Sequence, residues 1–324
     1  MLTTRFTELV GCTVPIQQAG MGSLANPRLA TAVAEAGGMG MLSVYGVDPE
    51  IIADVFEQLP RNVPGAFGAN IIPHFVEPDL MRATIEASAA QARVVDFFYS
   101  DPDPELVDLV HARGALVCWQ VGSVDEAIAA EAAGCDLIVA QGIEAGGHVR
   151  GRISLLALLG EVLEAVRIPV LAAGGIGSGR ALAAVLAAGA EGARIGTRFI
   201  AAEESGAHPK HIEGLIAASA ADTVYTEAFH VGWEDAPHRV LRSAVDAAES
   251  FEGETVGEGV NIYTGKPYPI GRFQSSGTHE GTTGTIEAMS LWAGESVGGI
   301  RKVQPAREIV QELAEEAETL LRRW

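Results

Sequence analysis

Gln141-Gly142-Ile143-Glu144-Ala145-Gly146-Gly147-His148 gathers an amide, three glycines and an imidazole within eight residues. Glycine lacks a Cβ, so this backbone can turn through positive φ and press close to a flat ligand. A histidine beside it can take up or release a proton near neutrality. The bland alternative is a glycine-rich turn with an incidental, solvated histidine. The preceding run, Cys135-Asp136-Leu137-Ile138-Val139-Ala140, reads as a buried parallel strand between turn signals. His148 therefore follows a strand end, which is where α/β barrels carry their chemistry.

Two further glycine turns bear on ligand binding. Ala173-Gly174-Gly175-Ile176-Gly177-Ser178-Gly179 ends a seventh strand, and Gly196-Thr197 ends an eighth. Barrels use the loops after these two strands to hold phosphate on backbone N–H groups, and the Thr197 hydroxyl adds a donor. Two tight turns without a ligand are the simpler reading. Amides also recur at strand ends: Asn70 after the third, Gln120 at the end of the fifth, Gln141 after the sixth. Such amides can orient the carbonyls and ring nitrogens of a heterocycle, although any one of them is also an ordinary turn residue.

Gly20-Met21-Gly22-Ser23-Leu24-Ala25 matches a dinucleotide-type G-x-G-x-x-A formally. The carboxylate expected at the end of the second strand is missing from Met41-Leu42-Ser43-Val44-Tyr45-Gly46, so the match is weak. In a barrel these residues would instead pass backbone under a flat ring. Gly265-Lys266 is followed by Pro267, so no Walker motif is present, and no spacing of metal ligands is seen. His208 and His211 read as solvated; His74, His111, His230, His238 and His279 read as loop or surface residues, with His230 or His279 able to reach the mouth of the barrel.

The elements that must position these residues alternate regularly. Short apolar runs begin near Pro15, Gly38, Ala66, Arg93, Ala115, Asp136, Pro169 and Gly192, and each of the first seven is followed by an amphipathic, Ala-rich helix. Asn26-Pro27, Asp48-Pro49, Glu77-Pro78, Asp103-Pro104, Ser123 and Ser178 mark helix starts. Eight such units predict an α/β fold, a (β/α)8 TIM barrel; an open doubly wound sheet uses the same units but suits unbroken alternation less well. After Thr197 the rhythm breaks. Helices are expected over 208–221 and 239–249, a helix-like run over 285–292, and a terminal amphipathic helix over 305–324. The stretch 253–284 is rich in Gly, Pro and Thr. We read 1–205 plus 285–324 as the barrel and 206–284 as a smaller, partly helical lid inserted after strand eight.

Composition narrows the function. The chain has 324 residues, 48% of them hydrophobic, and 22 basic against 42 acidic residues give a net charge of −20. A surface that acidic repels phosphate backbones and anionic lipid, so neither nucleic acid nor a membrane is an expected partner. Cys12, Cys118 and Cys135 show no pairing pattern and read as small buried hydrophobes in a reducing compartment. The N-terminal residues lack a signal-peptide pattern, so a cytoplasmic enzyme is expected.

Together, Gly20-Met21-Gly22, Gly68-Ala69-Asn70, the Gln141–His148 string, Ala173-Gly174-Gly175-Ile176, Gly196-Thr197-Arg198-Phe199 and Leu291-Trp292-Ala293-Gly294 resemble the nitronate monooxygenase family, formerly the 2-nitropropane dioxygenases. The resemblance implies an FMN-dependent barrel that oxidises small alkyl nitronates or nitroalkanes with O2. Gly174, Gly175, Gly196 and Thr197 would hold the phosphate. Gly20, Met21, Gly22, Asn70, Gln120, Gln141, Gly142, Gly146 and Gly147 would line the ring and ribityl chain, and His148 would be catalytic. A homodimer is compatible with this reading. The same motifs are shared by flavin-dependent enoyl-ACP reductase II and NADH:quinone reductases, so an NAD(P)H-driven FMN reductase is the alternative, and a flavin-binding protein without turnover is the third.

Overall fold

A computed structural model describes residues 2–44 and 46–323. Tyr45, in the run after the second strand, and Trp324, at the end of the expected terminal helix, lie outside the described residues.

In chain order the first elements are α1 (Arg5–Val10), β1 (Ile16–Gln18), α2 (Pro27–Glu35), β2 (Met39–Ser43), α3 (Pro49–Glu57), β3 (Ala66–Ile71), α4 (Pro78–Ala89), β4 (Val94–Phe97), α5 (Pro104–His111), β5 (Leu116–Val121), α6 (Val124–Ala132) and β6 (Leu137–Gln141). They continue through β7 (Gly147–His148), α7 (Leu155–Ala165), β8 (Val170–Ala173), α8 (Gly179–Ala187), β9 (Gly192–Ile195) and α9 (Thr197–Ile200). Eight parallel strands, β1 to β6 with β8 and β9, close on themselves: β9 pairs with β1 at Gln17↔Arg194 and Gln18↔Ile195. Closure excludes the open sheet. The strands are largely apolar on both faces, apart from buried polar residues such as Gln17, Asp96 and Arg194, because the outer face packs on helices and the inner face on its opposite strands.

The helix starts follow from side-chain chemistry. Asn26 Oδ1 accepts the Leu29 N–H at 3.1 Å, Asp48 the Glu50 N–H at 2.9 Å, and Ser178 Oγ the Ala181 N–H at 3.2 Å, each satisfying a donor that has no partner inside the helix. One helix, α1, is too short to show periodicity, and it brings Phe6 and Val10 into the cluster that fills the barrel interior.

Beyond residue 200 the expectations need correction. The chain forms α10 (Pro209–Ala217), β10 (Thr223–Thr226), β11 (His238–Leu241), α11 (Arg242–Ser250), β12 (Thr255–Val260), β13 (Pro267–Gly271), β14 (Thr283–Gly284) and α12 (Ala306–Leu321). The helix expected from Arg239 begins three residues later, because His238–Leu241 pairs antiparallel with β10 and β7. The helix expected through Ala221 ends at Ala217 and is followed by a 3-10 turn over Ala220–Asp222. The run over 285–292 holds only a 3-10 turn, Ile286–Ala288. Residues 253–284, where few apolar residues recur, contain the three-stranded sheet β13-β12-β14. The terminal helix α12 packs between α8 and α2, completing the outer ring. A second buried cluster runs from Leu24 and Ile200 through Leu241 and Val256 to Ile300. Among the described residues no helix is long and apolar enough to cross a membrane.

Candidate active site

A cavity of about 460 Å³ opens at the carboxyl ends of the barrel strands. Its wall includes Gly20, Met21 and Gly22 from the loop after β1, Asn70 from β3, Gln120 from β5 and Gln141 from β6. Gly146, Gly147 and His148 line it, as do Gly174, Gly175, Gly196 and Thr197. Gly142 does not: its N–H donates to the Ala173 carbonyl, and a side chain there would meet Glu144 and Leu155. His230 and His279 do not reach the lining either. The mouth is aromatic, with Phe75, Trp233 and Trp292 joined by Ser275 and Gly277 from beyond residue 230.

One end of the cavity suits an anion. Gly174 and Gly175 turn through φ +109° and +69°, conformations that an L side chain rarely adopts. The N–H groups of Gly175 and Gly196 have no protein acceptor among the described residues. Thr197 Oγ1 accepts the Gly294 N–H at 2.9 Å, so its own hydroxyl proton remains free to donate. Gly146 fits between Gly294 and Thr197 so closely that a Cβ would strike the Gly294 backbone nitrogen.

His148 lines the same cavity. Its backbone belongs to β7, paired with His238 of β11, and its carbonyl accepts a 3.0 Å bond from Gln141 Nε2. Gln141 Oε1 in turn accepts the Arg150 N–H at 3.3 Å, so this amide is spent on holding the histidine segment. The imidazole packs 3.9 Å from the Trp233 ring and 5.2 Å from that of Trp292, and Nε2 lies 3.4 Å from Ser275 Oγ. Burial, with a smaller contribution from nearby His238, pushes its pKa down to about 3. The ring is therefore neutral at physiological pH.

Two neighbouring histidines are structural. His238 has its Nδ1–H on the Ala236 carbonyl at 2.9 Å and accepts the Phe229 N–H at Nε2, 3.2 Å away. His211, expected to be solvated, is fully buried. A carbonyl can only accept, so Nε2–H donates to Trp292 O at 3.1 Å and Nδ1 accepts from Thr278 Oγ1 at 3.1 Å. Burial lowers its pKa to about 4. It ties α10 to both the Trp292 loop and the segment carrying Gly277.

At the floor of the cavity, which Arg194 itself lines with Asp96 behind it, lies a pair that sequence reasoning missed. Arg194 of β9 places Nη2 2.5 Å from Asp96 Oδ1 and Nη1 3.1 Å from Oδ2, and Asp96 is fully buried. Arg194 Nη1 also donates to Gln120 Oε1 at 2.5 Å and Nε to Gln17 Oε1 at 2.9 Å, while Asn70 Nδ2 donates to Asp96 Oδ2 at 2.7 Å. Burial is the largest influence and favours a neutral guanidine, but the Asp96 charge, the neighbouring Cys118 and the hydrogen bonds to both together outweigh it and hold the Arg194 pKa above its ordinary value. The only available signal was a charge inside each of two apolar strands, Val94-Val95-Asp96-Phe97 and Gly192-Ala193-Arg194-Ile195.

Comparison with known proteins agrees with this geometry. Residues 3–82 and 48–316 match the nitronate monooxygenase family. The chain is 35% identical over 257 residues to a (3aS,4S,5R,7aS)-5-hydroxy-7a-methyl-1-oxo-octahydro-1H-indene-4-carboxyl-CoA dehydrogenase of Rhodococcus jostii, covering 78% of this chain and 68% of that one. It is 27% identical to a probable nitronate monooxygenase of Bacillus subtilis, over 96% of this chain and 98% of that one. Among solved structures, FabK from Thermotoga maritima superposes with a TM-score of 0.83 at 30% identity, over 100% of this chain and 98% of that one. Nitroalkane oxidase from Streptomyces ansochromogenes superposes with a TM-score of 0.77 at 31% identity, over 98% and 99%. The chain belongs to the nitronate monooxygenase family of flavin-dependent oxidoreductases.

Proposed function

We propose that this enzyme binds FMN and oxidises alkyl nitronates, and nitroalkanes after deprotonation, with O2 to carbonyl compounds and nitrite. The observation that carries the reading is the neutral imidazole of His148, held at an aromatic mouth and facing a cavity floored by glycine. The residues present fit the cofactor. The volume of about 460 Å³ falls within the usual range for cofactor sites. Free N–H groups at Gly175 and Gly196 and the Thr197 hydroxyl, with Gly174 shaping the turn, would hold the phosphate. Gly20, Met21, Gly22, Gly146 and Gly147 would pass close to the ring, and Asn70 and Gln120 would meet its polar edge.

When bound, FMN accepts two electrons from substrate and delivers them to dioxygen. The chain supplies the proton chemistry and the shelter. As the Nδ1–H tautomer, neutral His148 presents at Nε2 a lone pair that can take the proton α to a nitro group. A nitronate drawn against the ring favours the imidazolium, so the same residue then anchors the anion it has formed. We assign residues 206–284 as the lid, since they bring Trp233, Ser275 and Gly277 to the mouth.

A second reading, an FMN reductase acting on a thioester or quinone with NAD(P)H, is favoured by the apolar mouth of Ile72, Phe75, Phe98 and Trp233, which suits a bulkier substrate than a small nitronate. An anaerobic mix of the FMN-loaded protein with ethylnitronate, and separately with NADH, decides between them. Bleaching by the nitronate alone, reversed by oxygen, supports the proposal; bleaching by NADH within seconds replaces it with the reductase.

A further inference from the structure

Asn70 and Gln120 each offer the cavity one polar atom, and the buried pair beneath them dictates which. A guanidinium only donates, so the Gln120 atom 2.5 Å from Arg194 Nη1 must be its oxygen, which leaves the NH2 group for the cavity. A carboxylate only accepts, so the Asn70 atom 2.7 Å from Asp96 Oδ2 must be its nitrogen, which leaves the carbonyl oxygen for the cavity. Neither remaining atom has a protein partner among the described residues, and neither is sealed from the cavity. The register puts the parts together: Asn70 is level with Asp96 across β3 and β4, and Arg194 is level with Gln17 across β9 and β1. Gln17 Oε1 takes the guanidinium Nε–H, so Arg194 cannot rotate away from this arrangement.

We infer that Arg194 and Asp96 are positioning residues that lock these two amides into a fixed acceptor-and-donor pair, which selects a ligand edge with an imide N–H beside a carbonyl. The inference rests on the FMN reading and deepens it, because the pyrimidine edge of a flavin has that pattern. A freely rotating asparagine or glutamine would accept either polarity. Here flipping either one sets two donors or two acceptors against each other in a dry interior, which leaves buried polar groups unpaired.

The test compares the binding of FMN and 3-methyl-FMN, in which the imide N–H is blocked, by fluorescence titration of the apoprotein. The native chain should prefer FMN at least tenfold. Two variants remove both charges together, so that neither is left buried alone: Asp96→Asn with Arg194→Met, and Asp96→Asn with Arg194→Gln. In whichever of them folds by circular dichroism, the preference should shrink to within about threefold, since Asn70 is then free to present its NH2 group. Arg194→Lys still donates to Gln120 and should retain the native preference, an outcome that a merely space-filling role for Arg194 does not require. Equal binding of the two flavins by the native chain, or full discrimination in a folded double variant, overturns the inference while leaving FMN binding intact. If the native chain binds neither flavin, the FMN reading falls and the inference falls with it.

Discussion

Acid should loosen this protein through His211, and the size of the effect follows from its burial. The ring is completely enclosed, both nitrogens are committed, and its pKa lies near 4 in the folded chain. In the unfolded chain it returns to about 6.5. The folded state thus holds the neutral ring while the unfolded state takes up a proton as pH falls below 6.5. The stabilisation is complete above that pH and is lost progressively towards pH 4. Between pH 7.0 and 5.0 the linkage amounts to about 2 kcal/mol for this one residue, a sizeable share of the stability of an ordinary domain. Replacing His211 by Gln keeps a donor for Trp292 and an acceptor for Thr278 but removes the titration. Urea denaturation of both proteins at the two pH values measures the difference. The wild type should lose about 2 kcal/mol more than the variant over this interval. Parallel losses, or a His211 ring signal that titrates near 6.5 in NMR of the folded protein, refute the reasoning.

Other outcomes follow from the same geometry. His148→Asn should leave FMN bound and abolish turnover of neutral nitroalkanes, and normal turnover would remove His148 from the chemistry. Trp233→Ala strips away the ring 3.9 Å from His148, so the His148 pKa should rise from about 3 towards the ordinary histidine value, as read from its ring protons in NMR. Gly146→Ala drives a methyl group against the Gly294 backbone and should cost about 1–3 kcal/mol, seen as a lower Tm and less flavin retained on gel filtration. Asp96→Asn alone leaves the Arg194 charge buried without its partner and should cost about 3–5 kcal/mol in urea denaturation, whereas the double variants recover most of that loss.

The barrel was readable because each of its units is specified locally. Asn26-Pro27 and Ser178 fix helix starts by hydrogen bonds three residues away, and an all-apolar run such as Leu137–Ala140 fits little but a buried strand. The region after residue 200 was not readable in the same way. His238–Leu241 is a strand because β10 and Gly147–His148 lie beside it, and nothing within its own window requires that. The glycines and His148 were legible as a candidate site because their spacing is unusual. The roles of Asp96 and Arg194 were not, since they lie 98 positions apart and meet only when the sheet closes. His211 looked like a solvated helix residue because the surfaces that bury it, the Thr278 segment and the Trp292 loop, arrive more than sixty positions later.

The placement of His148 on a two-residue strand ties two structural bodies to one side chain. Its carbonyl is fastened to the barrel through Gln141, while its backbone is zipped to β11, whose other edge carries β10. A displacement of that small sheet must therefore either drag the imidazole with it or break the pairing at His238. Trp233, in the loop between β10 and β11, lines the mouth, so the entrance and the orientation of the imidazole share a single mechanical coordinate. If His148 acts as proposed, a ligand that leaves this sheet displaced meets a misplaced imidazole, and discrimination then follows from geometry alone.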